Sequence, residues 1–258
     1  MTEKYQNMLI TNTDGVVKLT FNRPPLNVLN IEMLNEINHA LEAVLDNRAL
    51  KLLIITGNGK AFSAGVDVAE HLPDKAREML ATFHRTFDLL SEIAAPTLAA
   101  LNGVALGGGC EVALFCDLVI AAESVKLGQP EIKLATLPPV AAALLPKLCG
   151  AKKAFELLLI GDAITARDAK RLGLVNRVVA DSDLESEVEA VTKKLTALSP
   201  DAVKLTKRAI RQGLDKNFAE GFNAADALCL EMLLHHPDTR EGLQAFIEKR
   251  PPAFGKSA

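Results

Sequence analysis

The stretch from Leu98 to Leu137 (LAALNGVALGGGCEVALFCDLVIAAESVKLGQPEIKLATL) restricts the fold of this chain more than any other. It reads as a buried strand, a glycine turn, a helix, a second buried strand and a second turn. Each turn brings one acid. Glu111 lies in the first turn of the helix that Gly107, Gly108 and Gly109 open, and Glu131 follows the turn Gly128-Gln129-Pro130. A helix N-terminus carries unpaired N–H groups and a partial positive charge, and glycines there let a ligand atom approach the backbone. The pattern predicts one small cavity with two carboxylates and an oxyanion held by the turn. Simpler roles exist for each part: Glu111 complementing the helix dipole, Glu131 as a solvated turn residue, the glycines as a packing turn. A dinucleotide fingerprint is incomplete, because Val112 stands where its third glycine belongs.

Upstream, Met8 to Thr13 and Val16 to Phe21 predict two strands joined at Asp14-Gly15. Asn30 predicts the cap of a helix from Ile31 to about Asn47, with Met33, Leu34, Ile37, Leu41, Val44 and Leu45 at helical spacing. Leu52 to Thr56 is a continuous apolar run, the pattern of a strand buried on both faces. The loop GNGKAFSAGVD follows, then a helix from about Asp74 to Ile93. Repetition of strand, loop and helix points to an α/β fold with parallel strands. After Pro139 the chain reads as helical, broken by a strand at Leu174 to Val179. The last helices are expected near Leu184 to Leu198, Pro200 to Gln212, Phe218 to His235 and Thr239 to Lys249.

Bulk properties narrow the function. The net charge of -3 gives no electrostatic footprint for nucleic acid. The basic run KLTKRAIR from Lys204 to Arg211 reads as a solvated helix face. The absence of an apolar span or basic-apolar leader predicts a cytoplasmic protein without a membrane segment. The scattered Cys110, Cys116, Cys149 and Cys229 are expected as reduced, buried thiols without a metal.

In the second loop, small residues around Ala64 permit close backbone approach, so its N–H is a candidate second donor to an oxyanion. A competing reading takes Ala61-x-Ser63-x-Gly65 as a nucleophile elbow. That motif needs its serine at the strand end, whereas Gly57-Asn58-Gly59-Lys60 intervenes here. None of the five histidines has ligand spacing. His71 and His84 are candidates for substrate contact only.

At AFSAGVD (61–67), NGVALGGGCEVALFCD (102–117) and GQPEIKL (128–134) the chain resembles the enoyl-CoA hydratase/isomerase, or crotonase, family. FNRPPLNVLN near the start and REGLQAFIEKR (240–250) match less sharply. The resemblance implies a spiral of ββα turns over residues 1–198 and a helical trimerisation region over 199–258, giving a homotrimer or a hexamer of paired trimers. It implies an acyl-CoA thioester substrate, with coenzyme A part of the substrate and no separate cofactor. The implied catalytic acids are Glu111 and Glu131, and the implied oxyanion donors are Ala64 and Gly108. Contacts to CoA or substrate fall on Pro25, Leu26, Ser63, Val66, Asp67, Val68, Gly107, Pro139, Phe246 and Lys249.

Two glutamates favour hydration, since one activates water at C3 while the other supplies a proton at C2. An isomerase needs mainly one base and is the rival within the family; a non-catalytic oligomeric scaffold is the rival outside it. One departure stands out. Where typical hydratases continue into a glycine-rich loop, this chain has Leu137-Pro138-Pro139-Val140. Pro139 has no N–H to donate. This resembles hydratases acting on alicyclic dienoyl-CoA esters such as cyclohexa-1,5-diene-1-carbonyl-CoA.

Overall fold

The computed structural model describes residues 5–214 and 216–255. It opens with β1 (Met8–Thr13) and β2 (Val16–Phe21), an antiparallel hairpin closed by Asp14 and Gly15. Val17, Leu19 and Phe21 alternate into the core, so the period of two fixes which face of β2 is buried. Next is α1 (Ile31–Leu45), whose first turn is capped by Asn30, its side chain accepting the Met33 N–H at 3.1 Å. Met33, Leu34, Ile37, Leu41 and Val44 form its buried stripe.

Three successive turns then have the same construction: a long strand, a very short strand, a helical segment. The first is β3 (Leu52–Gly57), β4 (Ala61–Ser63), a 3₁₀ turn at Val68–His71 and α2 (Ala76–Glu92). The second is β5 (Thr97–Leu101), β6 (Val104–Leu106) and α3 (Gly108–Phe115). The third is β7 (Leu118–Ala122), β8 (Lys126–Gly128), a 3₁₀ turn at Pro130–Leu134 and α4 (Pro139–Cys149). The chain continues through α5 (Ala151–Ile160), β9 (Ile164–Thr165), α6 (Ala166–Arg171), β10 (Arg177–Val179) and α7 (Leu184–Thr196).

The strands form two sheets. The larger has the order β1-β2-β3-β5-β7-β10, parallel throughout except for the opening hairpin. Buried along their lengths, β3 and β5 form its centre. The second sheet, β4-β6-β8-β9, is built from the short strands. It sets the glycine turns side by side, because β4 pairs with β6 and β6 with β8. The hydrophobic pattern predicts the first sheet but not the second, whose strands of two or three residues are too short to show a period.

The chain forms two compact units. One runs to Glu189 without Ala94–Pro96; the other joins Ala94–Pro96 to the chain from Ala190 onward. That division falls inside α7, ahead of the expected boundary after residue 198. The second unit contains α8 (Pro200–Leu214), α9 (Phe218–His235) and α10 (Pro237–Ile247). Two expectations need correction. Lys207, within the run read as a solvated face, is buried and donates from Nζ to the Ala95 carbonyl at 2.7 Å. The thiols are not all buried: Cys149 is half-buried and Cys229 exposed. Among the described residues no helix is long and apolar enough to cross a membrane.

Candidate active site

The site grows from the end of β6. Gly107 turns the chain with φ 51° and ψ -131°, a conformation that disfavours a side chain, and α3 begins at the next residue. The turn is also crowded. A Cβ on Gly107 would lie 2.6 Å from Glu131 Oε1; one on Gly108 would lie 2.6 Å from Val66 Cγ2 and 2.8 Å from Phe83 Cζ. Glycine here lets the AGVD loop, the first turn of α3 and the Glu131 carboxylate meet.

Glu111 faces inward one turn along α3 and is 2% exposed. Its Oε1 accepts a hydrogen bond from the Ala141 N–H at 2.7 Å. Burial pushes its pKa up to about 7, the backbone N–H groups of Ala141 and Val140 oppose that rise, and the neighbouring Glu131 charge adds to it. Glu131 stands on the 3₁₀ turn after β8. Its Oε2 is buried and has no hydrogen-bond partner among the described residues. Burial raises its pKa as well, against the opposing charge of His71. Two carboxylates that both resist ionisation, each sensed by another acid or base of the site, can hold one proton between them and pass it on.

The structure changes the identity of the second backbone donor. The Ala64 N–H, expected to face an oxyanion, is spent on the Leu26 carbonyl at 2.9 Å. Two residues on, Leu29 N–H donates to Gly65 O at 2.9 Å and Asp67 N–H to Leu29 O at 3.0 Å. This parallel bridge straddles Val66 and turns its own N–H away from the ladder. Val66 N–H makes no hydrogen bond among the described residues, and the Val66 side chain abuts Gly108. Gly108 is the first residue of α3, so its N–H has no partner within the helix. The donor pair that the geometry leaves available is therefore Val66 and Gly108.

Other expected residues separate by depth. Ser63 is wholly buried; its Oγ accepts the Gly65 N–H at 3.2 Å and packs against Gly109, so it builds the turn and presents nothing to a ligand. The Asp67 side chain caps the 3₁₀ turn by accepting the Ala69 N–H at 3.0 Å. Pro25, Leu26 and Val68 are exposed. Pro139 is the exposed first residue of α4, while Pro138 beside it is buried. Phe246, 85% exposed on α10, and the exposed Lys249 belong to the second unit. His71, expected only as a substrate contact, has its Nδ1 2.9 Å from the Asp67 carbonyl and acts electrostatically on Glu131. Val140 and Ala141 were not among the expected site residues. The signal was the double proline itself, which opens a helix whose next N–H groups need acceptors.

The family model described as enoyl-CoA hydratase/isomerase matches residues 11–257. A crotonyl-CoA hydratase of Syntrophomonas wolfei is 40% identical over 97% of this chain and 98% of its own. A probable enoyl-CoA hydratase of Mycobacterium tuberculosis is 39% identical over the same shares. The crystal structure of an enoyl-CoA hydratase from Bacillus anthracis superposes with a TM-score of 0.92 at 36% identity, covering 98% of this chain and 100% of that one. With a family model over nearly the whole chain and full-length relatives at this identity, this chain belongs to the enoyl-CoA hydratase/isomerase family.

Proposed function

We propose that the protein catalyses the reversible addition of water to the double bond of an α,β-unsaturated acyl-CoA thioester. The observation that carries this reading is the buried Glu111 and the half-buried Glu131, whose Oε2 is buried, beside two backbone N–H groups, those of Val66 and Gly108, without partners among the described residues. The relatives named as hydratases support it.

In the forward direction one carboxylate removes a proton from water, and the oxygen bonds to C3. The C2=C3 electron pair shifts toward the thioester carbonyl, and negative charge gathers on its oxygen. The N–H groups of Val66 and Gly108, with the N-terminal end of α3 behind them, stabilise that oxygen. The second acid then gives its proton to C2, the carbonyl re-forms, and the 3-hydroxyacyl thioester leaves. Coenzyme A enters and departs as part of the substrate, and the exposed Pro25, Leu26 and Val68 are the proposed lip for it. A homotrimer, or a hexamer of paired trimers, is the proposed assembly, and the cytoplasm the proposed location.

A finer reading concerns the acyl group. Pro139 presents a rigid ring without an N–H where α4 begins, which favours a flat alicyclic dienoyl ester such as cyclohexa-1,5-diene-1-carbonyl-CoA. The name of the Syntrophomonas wolfei relative favours the straight-chain crotonyl ester. The test offers both esters in ¹⁸O-labelled water and follows the products by mass spectrometry. Hydration appears as one labelled oxygen per product, abolished in Glu111→Gln and Glu131→Gln. A shifted double bond without label, or full activity in either variant, overturns the reaction. Faster turnover of the straight-chain ester overturns only the alicyclic reading.

A further inference from the structure

The polar residues that neighbour the two acids face a different space. Cys110 precedes Glu111 on α3, and Gln129 leads into the 3₁₀ turn that carries Glu131. Both line a second, small cavity of about 10 Å³, walled by Leu114, Leu127, Leu145 and Leu157. In this apolar surrounding Gln129 is 2% exposed, and neither its Nε2 nor its Oε1 has a hydrogen-bond partner among the described residues. Leaving both ends of a buried amide unmet is strongly unfavourable, and native proteins rarely do so. The Cys110 sulfur interacts with the Gln129 side chain and the Gly128 backbone, but sulfur is a weak donor and a weak acceptor and does not satisfy an amide. Burial pushes that thiol up to about 12, so it stays protonated.

The volume is at the lower limit for a single water, and such a water needs two to four polar partners. A primary amide offers a carbonyl and an N–H side by side, so one water can accept from the second while donating to the first. We propose that the space behind α3 is a binding site for one structural water, closing a ring with the Gln129 amide and accepting from the Cys110 thiol. The water joins the segment leading to Glu131 to the helix carrying Glu111, on the side away from the reaction. Nothing in this inference depends on the reaction proposed above.

The test combines a high-resolution crystal structure of the unaltered protein with two variants. The structure is expected to show an ordered water within hydrogen-bonding distance of both Gln129 amide atoms. Cys110→Val fills the space with carbon and strands the amide, lowering the melting temperature by roughly 3 °C or more. In the double variant Cys110→Val/Gln129→Leu no amide is left to strand, and most of that loss is regained, a clear departure from additivity. Absence of water density, an unchanged melting temperature in Cys110→Val, or a double variant no more stable than that single one overturns the proposal.

Discussion

The Glu111 carboxylate and the Ala141 backbone N–H meet at 2.7 Å, so an acid of the site also serves as the cap of α4. Pro138 at the cap position has no side-chain acceptor to offer, and Pro139 has no N–H. Val140 and Ala141 thus carry the first donors of that helix, and both act on Glu111. The double proline, read from the sequence only as a lost contact, aims those donors at the carboxylate. Glu111→Gln keeps the accepting oxygen while losing the titrating proton. It is expected to lower kcat for hydration by roughly 10²-fold or more, with KM for the acyl-CoA little changed and α4 intact. Steady-state kinetics with circular dichroism of the same sample checks this; a large KM change with kcat preserved would contradict it.

Val66 and Gly108 form the other half of the site. A methyl group on Gly108 would have to displace Val66 Cγ2 and Phe83 Cζ, and Phe83 is held edge-on by Phe87 at a centroid distance of 5.0 Å. Gly108→Ala is therefore expected to splay the two N–H groups and cost roughly 10²–10³ in kcat. In Ala64→Gly the N–H bonded to Leu26 is kept, and the variant should retain activity within a few-fold. Comparable losses in both would return Ala64 to the donor pair.

These residues show where sequence reasoning reaches and where it stops. The hairpin at Asp14-Gly15, the Asn30 cap, the runs forming β3 and β5 and the α3 turn follow from local chemistry, because caps, turns and buried runs are set by neighbours in sequence. The donor pair does not. Ala64 and Val66 are equally close to Gly65 in sequence; only the pairing with residues far back in the chain, the Leu26 carbonyl that takes the Ala64 N–H and the Leu29 bridge that turns the Val66 N–H outward, shows which donor is already used. The family resemblance implies a ligand contact at Ser63, whereas its burial depends on α3 lying over β4, which sequence alone does not show.

The raised Glu111 pKa links stability to pH. Folding favours its protonated form, so this contribution is fully present below the unfolded carboxylate value of about 4.5 and is lost as pH rises through about 7. The shift corresponds to something on the order of 3 kcal/mol. Denaturant midpoints measured across that window should fall more steeply for the unaltered protein than for Glu111→Gln. Parallel curves for the two proteins would mean that Glu111 does not carry the proton.

His71 tests the other acid. Its ring is tethered through Nδ1 to the Asp67 carbonyl at 2.9 Å, and its charge lowers the Glu131 pKa against the effect of burial. The Glu131 charge in turn raises the Glu111 pKa, the opposite sense to that of His71 on Glu131. Removing the imidazole in His71→Ala leaves only the backbone hydrogen bond of Glu131 to oppose burial, so Glu131 should ionise at higher pH than before. If Glu131 must be a carboxylate to activate water, the acidic limb of kcat/KM moves to higher pH in His71→Ala, and His71→Lys moves it back. If Glu131 must instead be protonated to supply C2, the alkaline limb moves to higher pH and the acidic limb stays. Which limb moves therefore assigns base and acid between Glu131 and Glu111, and an unmoved profile would remove His71 from the site.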